Sequence, residues 1–235
     1  MNIALEKYRY YFETILENPL FANVPTSSVK DLLQITENRY CHRGTCVLDT
    51  HEISHRFFII MSGKIKAYVF DPTTDRQFTL DLLTVHDVFD LIALFGGITH
   101  KVYYQTLEPT ELLCLPVASM KQWLEKNQSM HSTLLLHMVK RLHAVENKVT
   151  NIVMDDIPTR LAKLLYANMN SQTNNVEFIN NLSHEELAAL IGTTRSVLNR
   201  HINNFSNLGL IKVNRKRIRI ADIQNLQAII RKSQT

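Results

Sequence analysis

The sequence predicts an α+β chain in three successive parts: an antiparallel β domain flanked by helices, one long helix, and a small helical domain closed by a β-hairpin. Three observations carry this prediction. Between about residues 39 and 116, short β-type runs alternate with turn residues. From about Ser129 to Met154, apolar residues recur at helical spacing without a break. From Leu182 to Ile220, two short amphipathic runs flank a glycine and lead into an alternating basic segment. The corresponding boundaries are 1–128, 129–154 and 155–235.

The first element is a helix over 3–17, where Ile3, Leu5, Tyr8, Tyr11, Phe12, Ile15 and Leu16 fall at helical spacing before Pro19 ends the pattern. A short helix from about Ser27 follows, with Val29, Leu32 and Leu33 inward. The texture then changes. RYCHRGTCVLDT places a Gly44 turn between two β-type runs, and HRFFIIMSGKIKAYVF gives two strong strands around Ser62-Gly63. DPTTDR is a polar turn, QFTLDLLTVHDVF continues the pattern, and KVYYQTLEPTELLCLPV gives two more strands around Glu108-Pro109. Strands at this regular spacing point to an antiparallel barrel or sandwich rather than a parallel α/β sheet. A helix from Pro116 to Asn127 should bury Met120, Trp123 and Leu124.

In the long helix, Leu135, Met138, Leu142, Val145, Val149 and Ile152 are spaced 3-4-3-4-3, with Lys140, Arg141, His143, Glu146, Asn147 and Lys148 flanking them. A seam this narrow is the contact stripe of a coiled coil, whereas a helix packed on its own domain usually shows a wider one. A parallel dimer seam is therefore expected. Asp155-Asp156-Ile157-Pro158 ends the helix, and Pro158 suits the first turn of the next, which carries Leu161, Leu164 and Leu165.

The C-terminal segment is the most informative. Ser183 with Glu186 three residues on is a capping box. Leu187, Ala188, Leu190 and Ile191 form the apolar face of the helix it opens, and Gly192 ends that helix. A second helix, from about Thr194 to Leu208, packs Val197, Leu198, Ile202 and Phe205 against the first. Its other face presents Arg195, Ser196, Asn199, Arg200 and Asn203, all able to hydrogen-bond phosphates or base edges. Ile211, Val213, Ile218 and Ile220 then alternate around Asn214-Arg215-Lys216-Arg217, a two-stranded wing with a basic tip. These are the parts of a winged helix-turn-helix. Charge agrees. From Ser183 onward there are nine Lys/Arg against three Asp/Glu, while residues 1–154 hold fifteen against sixteen. Positive charge is concentrated where phosphate binding would need it.

Composition bounds the rest. No run of eighteen apolar residues exists, and MNIALEKYRYYFE is too polar for a signal peptide, so a cytoplasmic protein with no membrane partner is expected. Three cysteines without a C-x-x-C pair argue against a disulfide framework. Cys41, Cys46 and Cys114 read as buried free thiols, with a Cys41–Cys46 redox pair across the Gly44 turn as the alternative. The histidines show no ligand spacing, so no metal is expected; His137 and His143 lie beside the seam, facing solvent or the β domain. No nucleophile–base pair, phosphate-cradling glycine loop or metal motif supports an enzyme.

A β domain, a long helix and a winged helix-turn-helix, in that order, resemble the CRP/FNR family of bacterial transcription regulators. The anchors are FFIIMSGKIK at 57–66, HDVFDLIALF at 86–95 and LSHEELAALIGTTRSVLNRHINNFSNLGLI at 182–211. The resemblance implies an N-terminal β-roll of the cyclic-nucleotide-binding type, a dimerisation helix, a palindromic double-stranded DNA operator and RNA polymerase as a partner. The family's recognition helix carries R-E-x-x-x-R or E-x-x-S-R, and the matching run here is Thr194-Arg195-Ser196-Val197-Leu198-Asn199-Arg200. By that match Arg195, Ser196, Asn199 and Arg200 are base contacts. Ser196 stands where many members have glutamate, and Asn199 where others have serine or glycine. Ser183, Thr193, Thr194, Asn203, Arg215, Lys216 and Arg217 are expected on phosphates.

The resemblance also bears on what is sensed. Nucleotide-binding members resemble G-D-x-x-G-E-L followed by R-S or R-T, in which a glutamate takes the ribose hydroxyl and an arginine the cyclic phosphate. Here His86-Asp87-Val88-Phe89-Asp90-Leu91-Ile92 is followed by Lys101-Val102. Leu91 replaces the glutamate, Asp90 a glycine, and Val102 the hydroxyl; only Lys101 keeps a charge. A degenerate pocket at Asp90, Leu91, Lys101 and Val102 is expected, controlled by a signal other than a cyclic nucleotide. Residues 1–40 hold no cysteine, so the iron–sulfur ligands of oxygen-sensing members are lacking and no cofactor is expected. The alternative is a ligand-independent regulator whose roll is a protein-docking module.

Overall fold

A computed structural model describes residues 3–47, 55–95, 102–214 and 217–232. The chain forms two compact units: Met1–Phe70 with Leu80–His143, and Asp71–Thr79 with Ala144–Thr235.

The first unit opens with α1 (Ile3–Glu17), a 3-10 turn (Pro19–Phe21) and α2 (Thr26–Gln34). Asn18 caps the turn, its Oδ1 accepting from the Leu20 N–H at 2.9 Å. In α1 the inward face is narrower than its apolar content implies: Tyr11 and Ile15 are buried, whereas Leu5, Tyr8 and Leu16 are exposed. Among the described residues the strands that follow are β1 (Glu37–Cys41), β2 (Arg56–Ser62), β3 (Lys64–Asp71), β4 (Arg76–Thr84), β5 (Val88–Phe89), β6 (Tyr103–Thr106) and β7 (Thr110–Pro116). A short helix, α3 (Leu91–Phe95), lies between β5 and β6. The strands form two sheets, ordered β1-β7-β2-β5 and β4-β3-β6. The expected antiparallel architecture is present: β1 with β7, β2 with β5 and β7, and β3 with β6 all pair antiparallel.

β2 and β3 are consecutive but belong to different sheets, so the Ser62-Gly63 turn is a crossing rather than a hairpin. Gly63 sits at φ +92°, and a Cβ there would lie 2.4 Å from Thr110 Oγ1 and 2.6 Å from the Pro109 carbonyl. Both the backbone conformation and the close approach demand glycine. β2 is buried on both faces. Phe57, Ile59 and Met61 join a cluster with α1, α2 and the next helix, while Phe58 and Ile60 join the interior between the sheets. In that interior Phe58 stacks on Phe89 at 4.7 Å between centroids, and Phe89 on Tyr104 at 4.5 Å. Burying each of these side chains contributes about 1.5–3 kcal/mol.

Cys41 and Cys114 are buried, as expected of free thiols, and burial pushes the Cys114 thiol up to about 12. Cys46 departs from that expectation: it is exposed, at an isolated bridge to Gln105 outside the named strands.

Helix α4 (Val117–Lys126) buries Met120, Trp123 and Leu124, and the indole N–H of Trp123 donates to the Ser28 carbonyl at 2.9 Å. The long helix α5 runs from Ser129 to Met154. Within the second unit α6 (Ile157–Ala167) starts at Asp156, whose side chain accepts from the Thr159 N–H at 2.9 Å, with Pro158 in the first turn. Lys163 binds Asp155 at 2.6 Å and Asn151 at 2.9 Å, which ties α6 to the end of α5. The unit continues with α7 (His184–Ile191), α8 (Arg195–Asn207), β8 (Ile211–Asn214), β9 (Arg217–Ile220) and α9 (Ile223–Lys232). Val176 is buried and its N–H donates to the Ile218 carbonyl at 2.9 Å, so the polar segment before α7 adds a partner to the wing. Among the described residues no helix is long and apolar enough to cross a membrane.

Gly63→Ala should destabilise the chain by on the order of 3 kcal/mol, combining a left-handed backbone with a backbone clash. Equilibrium urea unfolding reads it as a lower midpoint at unchanged slope. The Asp156 carboxyl lies below the ordinary range because the Thr159 hydroxyl and amide hydrogen-bond its ionised form. A depressed carboxylate stabilises the fold above its unfolded-state value and loses that contribution as pH falls through the folded one. Asp156→Ala should therefore lower the melting temperature at neutral pH, and the gap to wild type should close on acidification below the carboxylate range.

Candidate nucleic-acid interface

Ser183 adopts an extended conformation and caps α7. Its Oγ accepts from the Glu186 N–H at 3.1 Å, while the Glu186 carboxylate accepts from the Ser183 N–H. The predicted capping box is present. Leu187, Ala188, Leu190 and Ile191 are buried, and Gly192 closes the helix at φ 68°, ψ 47°, a left-handed conformation natural to glycine. Arg160 of α6 donates to the Ile191 carbonyl at 2.7 Å, satisfying an end-of-helix acceptor. This fixes the turn from which α8 departs.

Thr194 caps α8, its Oγ1 accepting from the Val197 N–H at 3.4 Å and lying 3.1 Å from the Ser196 hydroxyl. Leu198, Ile202 and Phe205 are buried. On the other face Arg195, Ser196, Arg200 and Asn203 are exposed, and Asn199 is half-buried among them. These five sit on one stripe because their spacing follows the helical repeat. Thr193 is half-buried and Thr194 exposed at the start of the helix. Burial and the neighbouring Arg200 charge hold the His201 imidazole below its usual range, which leaves the arginine as the cation of that turn.

Two nominated residues have second tasks. The Ser183 oxygen is occupied as a cap, leaving its proton to donate. Asn199 Oδ1 is hydrogen-bonded to Nδ1 of His184, at the start of α7. His184 carries no motif signal in the sequence. In the wing, Ile211 pairs with Ile220 and Val213 with Ile218; Ile211, Ile218 and Ile220 are buried, whereas Val213 is 37% exposed. Arg217 is exposed opposite Asn214, and Arg215 and Lys216 lie outside the described residues. Between the wing and the start of α7 a cleft of about 300 Å³ is lined by His184, Glu185, Arg195, Val213 and Ile218.

On α5 the nominated seam is open. Leu135 is 64% and Leu142 61% exposed; Met138, Val145 and Val149 are also exposed, and Ile152 is half-buried. Leu136, Val139 and Val153, exposed as well, widen the stripe beyond the heptad positions.

A Crp-like helix-turn-helix domain matches residues 159–229, and a cyclic nucleotide-binding domain matches residues 38–127. The chain belongs to the CRP/FNR family. A CRP-like cAMP-activated global transcriptional regulator from Mycobacterium tuberculosis (strain CDC 1551 / Oshkosh) is 23% identical over 91% of this chain and 97% of the relative. Among solved structures, a crp/fnr-family chain from Eubacterium rectale aligns at a TM-score of 0.69 and 21% identity, covering 91% of this chain and 98% of that one. The c-di-GMP responsive global regulator from Xanthomonas campestris aligns at 0.72 and 18% identity, covering 84% and 100%. The protein is a CRP/FNR-type transcription regulator with a helix-turn-helix DNA-binding domain.

Against the CRP/FNR nucleotide pattern, the pocket positions read as follows. Asp90, at the family pattern's glycine position, is only 3% exposed and adopts a left-handed backbone at φ 66°. Leu91 is buried and Val102 packs against the interior cluster. Lys101 lies outside the described residues. The buried Tyr104 phenol is pushed up by burial and by the Asp90 charge. On α5, His137 is half-buried with Nε2 unpaired among the described residues, and burial followed by the Arg141 charge lowers its imidazole. Arg141 binds Asp81 of β4 at 3.0 Å. This side of α5 thus faces the roll, one of the two placements expected for His137.

Ser183→Ala removes the hydroxyl half of the capping box and should cost about 1 kcal/mol. Thermal unfolding should show the lower midpoint, and Ser183→Asp should restore it.

Proposed function

We propose that the chain acts in the cytoplasm as a homodimer that places two copies of α8 in successive major grooves of a palindromic operator, under a signal other than a cyclic nucleotide. The observation that carries this reading is the face of α8: Arg195, Ser196, Arg200 and Asn203 stand exposed opposite a fully buried Leu198, Ile202 and Phe205. Arg195, Ser196, Asn199 and Arg200 meet base edges, and an arginine suits the O6 and N7 acceptors of guanine. Ser183, Thr193, Thr194, Asn203 and Arg217, with Arg215 and Lys216 at the wing tip, hold phosphates and set register. A second copy covers Leu135, Met138, Leu142, Val145, Val149 and Ile152, whose exposure in the single chain supports a coiled-coil contact. Two-fold symmetry then sets the half-sites one helical turn apart. RNA polymerase is the proposed protein partner.

The Mycobacterium relative is cAMP-activated. In this chain the buried Asp90 carboxylate, where a phosphate would approach, and Leu91, where a ribose hydroxyl would need an acceptor, support a different signal. The aromatic stack of Phe58, Phe89 and Tyr104 supports a second reading, in which the roll binds no small molecule and serves as a docking module.

Selection of bound fragments from a genomic pool at physiological salt tests the main reading. Enrichment of a palindrome supports it, and binding no tighter than background defeats it. Arg200→Ala should weaken operator binding by about ten-fold or more while leaving background binding nearly unchanged; equal losses would reassign the residue to phosphate. Leu142→Lys should halve the sedimenting mass, and an unchanged mass would remove the seam.

A further inference from the structure

We infer that His184 is a positioning residue for sequence reading: it turns the Asn199 carboxamide oxygen toward α7, presents the amide nitrogen to DNA and so disfavours adenine at the base that Asn199 meets. The inference rests on α8 being the recognition helix.

An unconstrained asparagine on a recognition helix offers one acceptor and two donor hydrogens, which suits the N7 acceptor and N6 donor of adenine. Asn199 is not unconstrained. Its Oδ1 is engaged by Nδ1 of His184 across the angle between α7 and α8. A carboxamide oxygen can only accept, so Nδ1 carries the proton. The amide rotor is thereby set, and the atom left for the groove is Nδ2 with its two hydrogens. That group matches an edge made of acceptors. Guanine provides O6 and N7, and thymine provides O4, whereas adenine offers N7 alone, beside an N6–H2 donor that the turned amide no longer meets with its oxygen. The half-burial of Asn199 and His184, between the exposed Arg195, Ser196 and Arg200, keeps the pair at the reading face while limiting the freedom of its rotamers.

The placement also gives α7 a part in specificity. A first helix normally crosses the backbone and contacts phosphates. Here its first residue controls which end of a side chain on the second helix faces outward. Nothing in the motif spacing marks it, since the two residues are fifteen positions apart.

Two measurements test this on the full chain. Long-range 15N–1H correlation of the free protein should show the His184 Nδ1 protonated. An unprotonated Nδ1 would mean that it accepts from the amide, turning the Asn199 oxygen outward and overturning the inference without reference to DNA. The second is selection from a randomised half-site with wild type, His184→Ala and His184→Asn. Wild type should disfavour adenine at one position whose preference disappears in Asn199→Ala. His184→Ala should raise adenine there by roughly ten-fold, the scale of one bidentate base contact. His184→Asn, whose amide nitrogen lies as many bonds from the backbone as Nδ1, should restore the wild-type profile. Thermal midpoints of the variants, measured in parallel, separate a specificity change from loss of fold. Enrichment with an unchanged profile in His184→Ala, or a wild-type site with no base preference attributable to Asn199, defeats the inference alone. Absence of any enrichment defeats the reading of α8 and the inference with it.

Discussion

Strand β2 has no solvent side, and the period-two alternation of its side chains therefore has to supply two different cores at once. Phe57, Ile59 and Met61 face the helices, while Phe58 and Ile60 face the space between the sheets. Its neighbour β7 does the same, with Leu113 and Leu115 on one side and Leu112 and Cys114 on the other. A one-residue slip would exchange the two sets. What holds the register is specific: Phe58 pairs directly with Phe89, and the chain must leave β2 at Gly63, where only glycine fits. The helices outside the roll and the aromatic stack inside it are consequently mounted on one strand.

The second unit is organised by ends rather than by a central strand. Each of its helices up to α8 begins with a side chain that accepts a backbone proton: Asp156, Ser183 and Thr194. Arg160 meets the carbonyl at the far end of α7. These contacts define where helices start and stop, and in a helix-turn-helix those points set the angle at which the exposed face of α8 is presented.

Features written in adjacent residues are legible in the sequence. The capping box of Ser183 and Glu186, the left-handed Gly192, and the apolar period of α8 each need only a few neighbours to specify them. That α5 carries an apolar stripe is equally legible in its spacing, although Leu136, Val139 and Val153 broaden the exposed face. Long-range partnership is not. Nothing near Gly63 says that β2 and β3 enter different sheets, because either arrangement satisfies the alternation. Val176 sits in a polar run that reads as loop, yet its backbone pairs with the wing. Cys46 bridges to Gln105, a partner far along the chain. Helix α9, which packs on α6, carries its cap at Asp222, and Gln227 reaches Tyr166 at 2.7 Å. The His184–Asn199 bond belongs to the same class: its partners meet only after two helices have been folded against each other.

The apolar stripe of α5 has a consequence for how much of the protein must be present for it to exist as a working species. A face bearing Leu135, Leu142 and Val149 in water is a standing cost to the lone chain, and in the proposed homodimer a second copy would remove it. Stability gained in that way would follow mass action, so thermal midpoint, resistance to proteolysis and the fraction of reading heads available in pairs would all rise together with chain concentration. Cellular abundance would then act as an input in its own right.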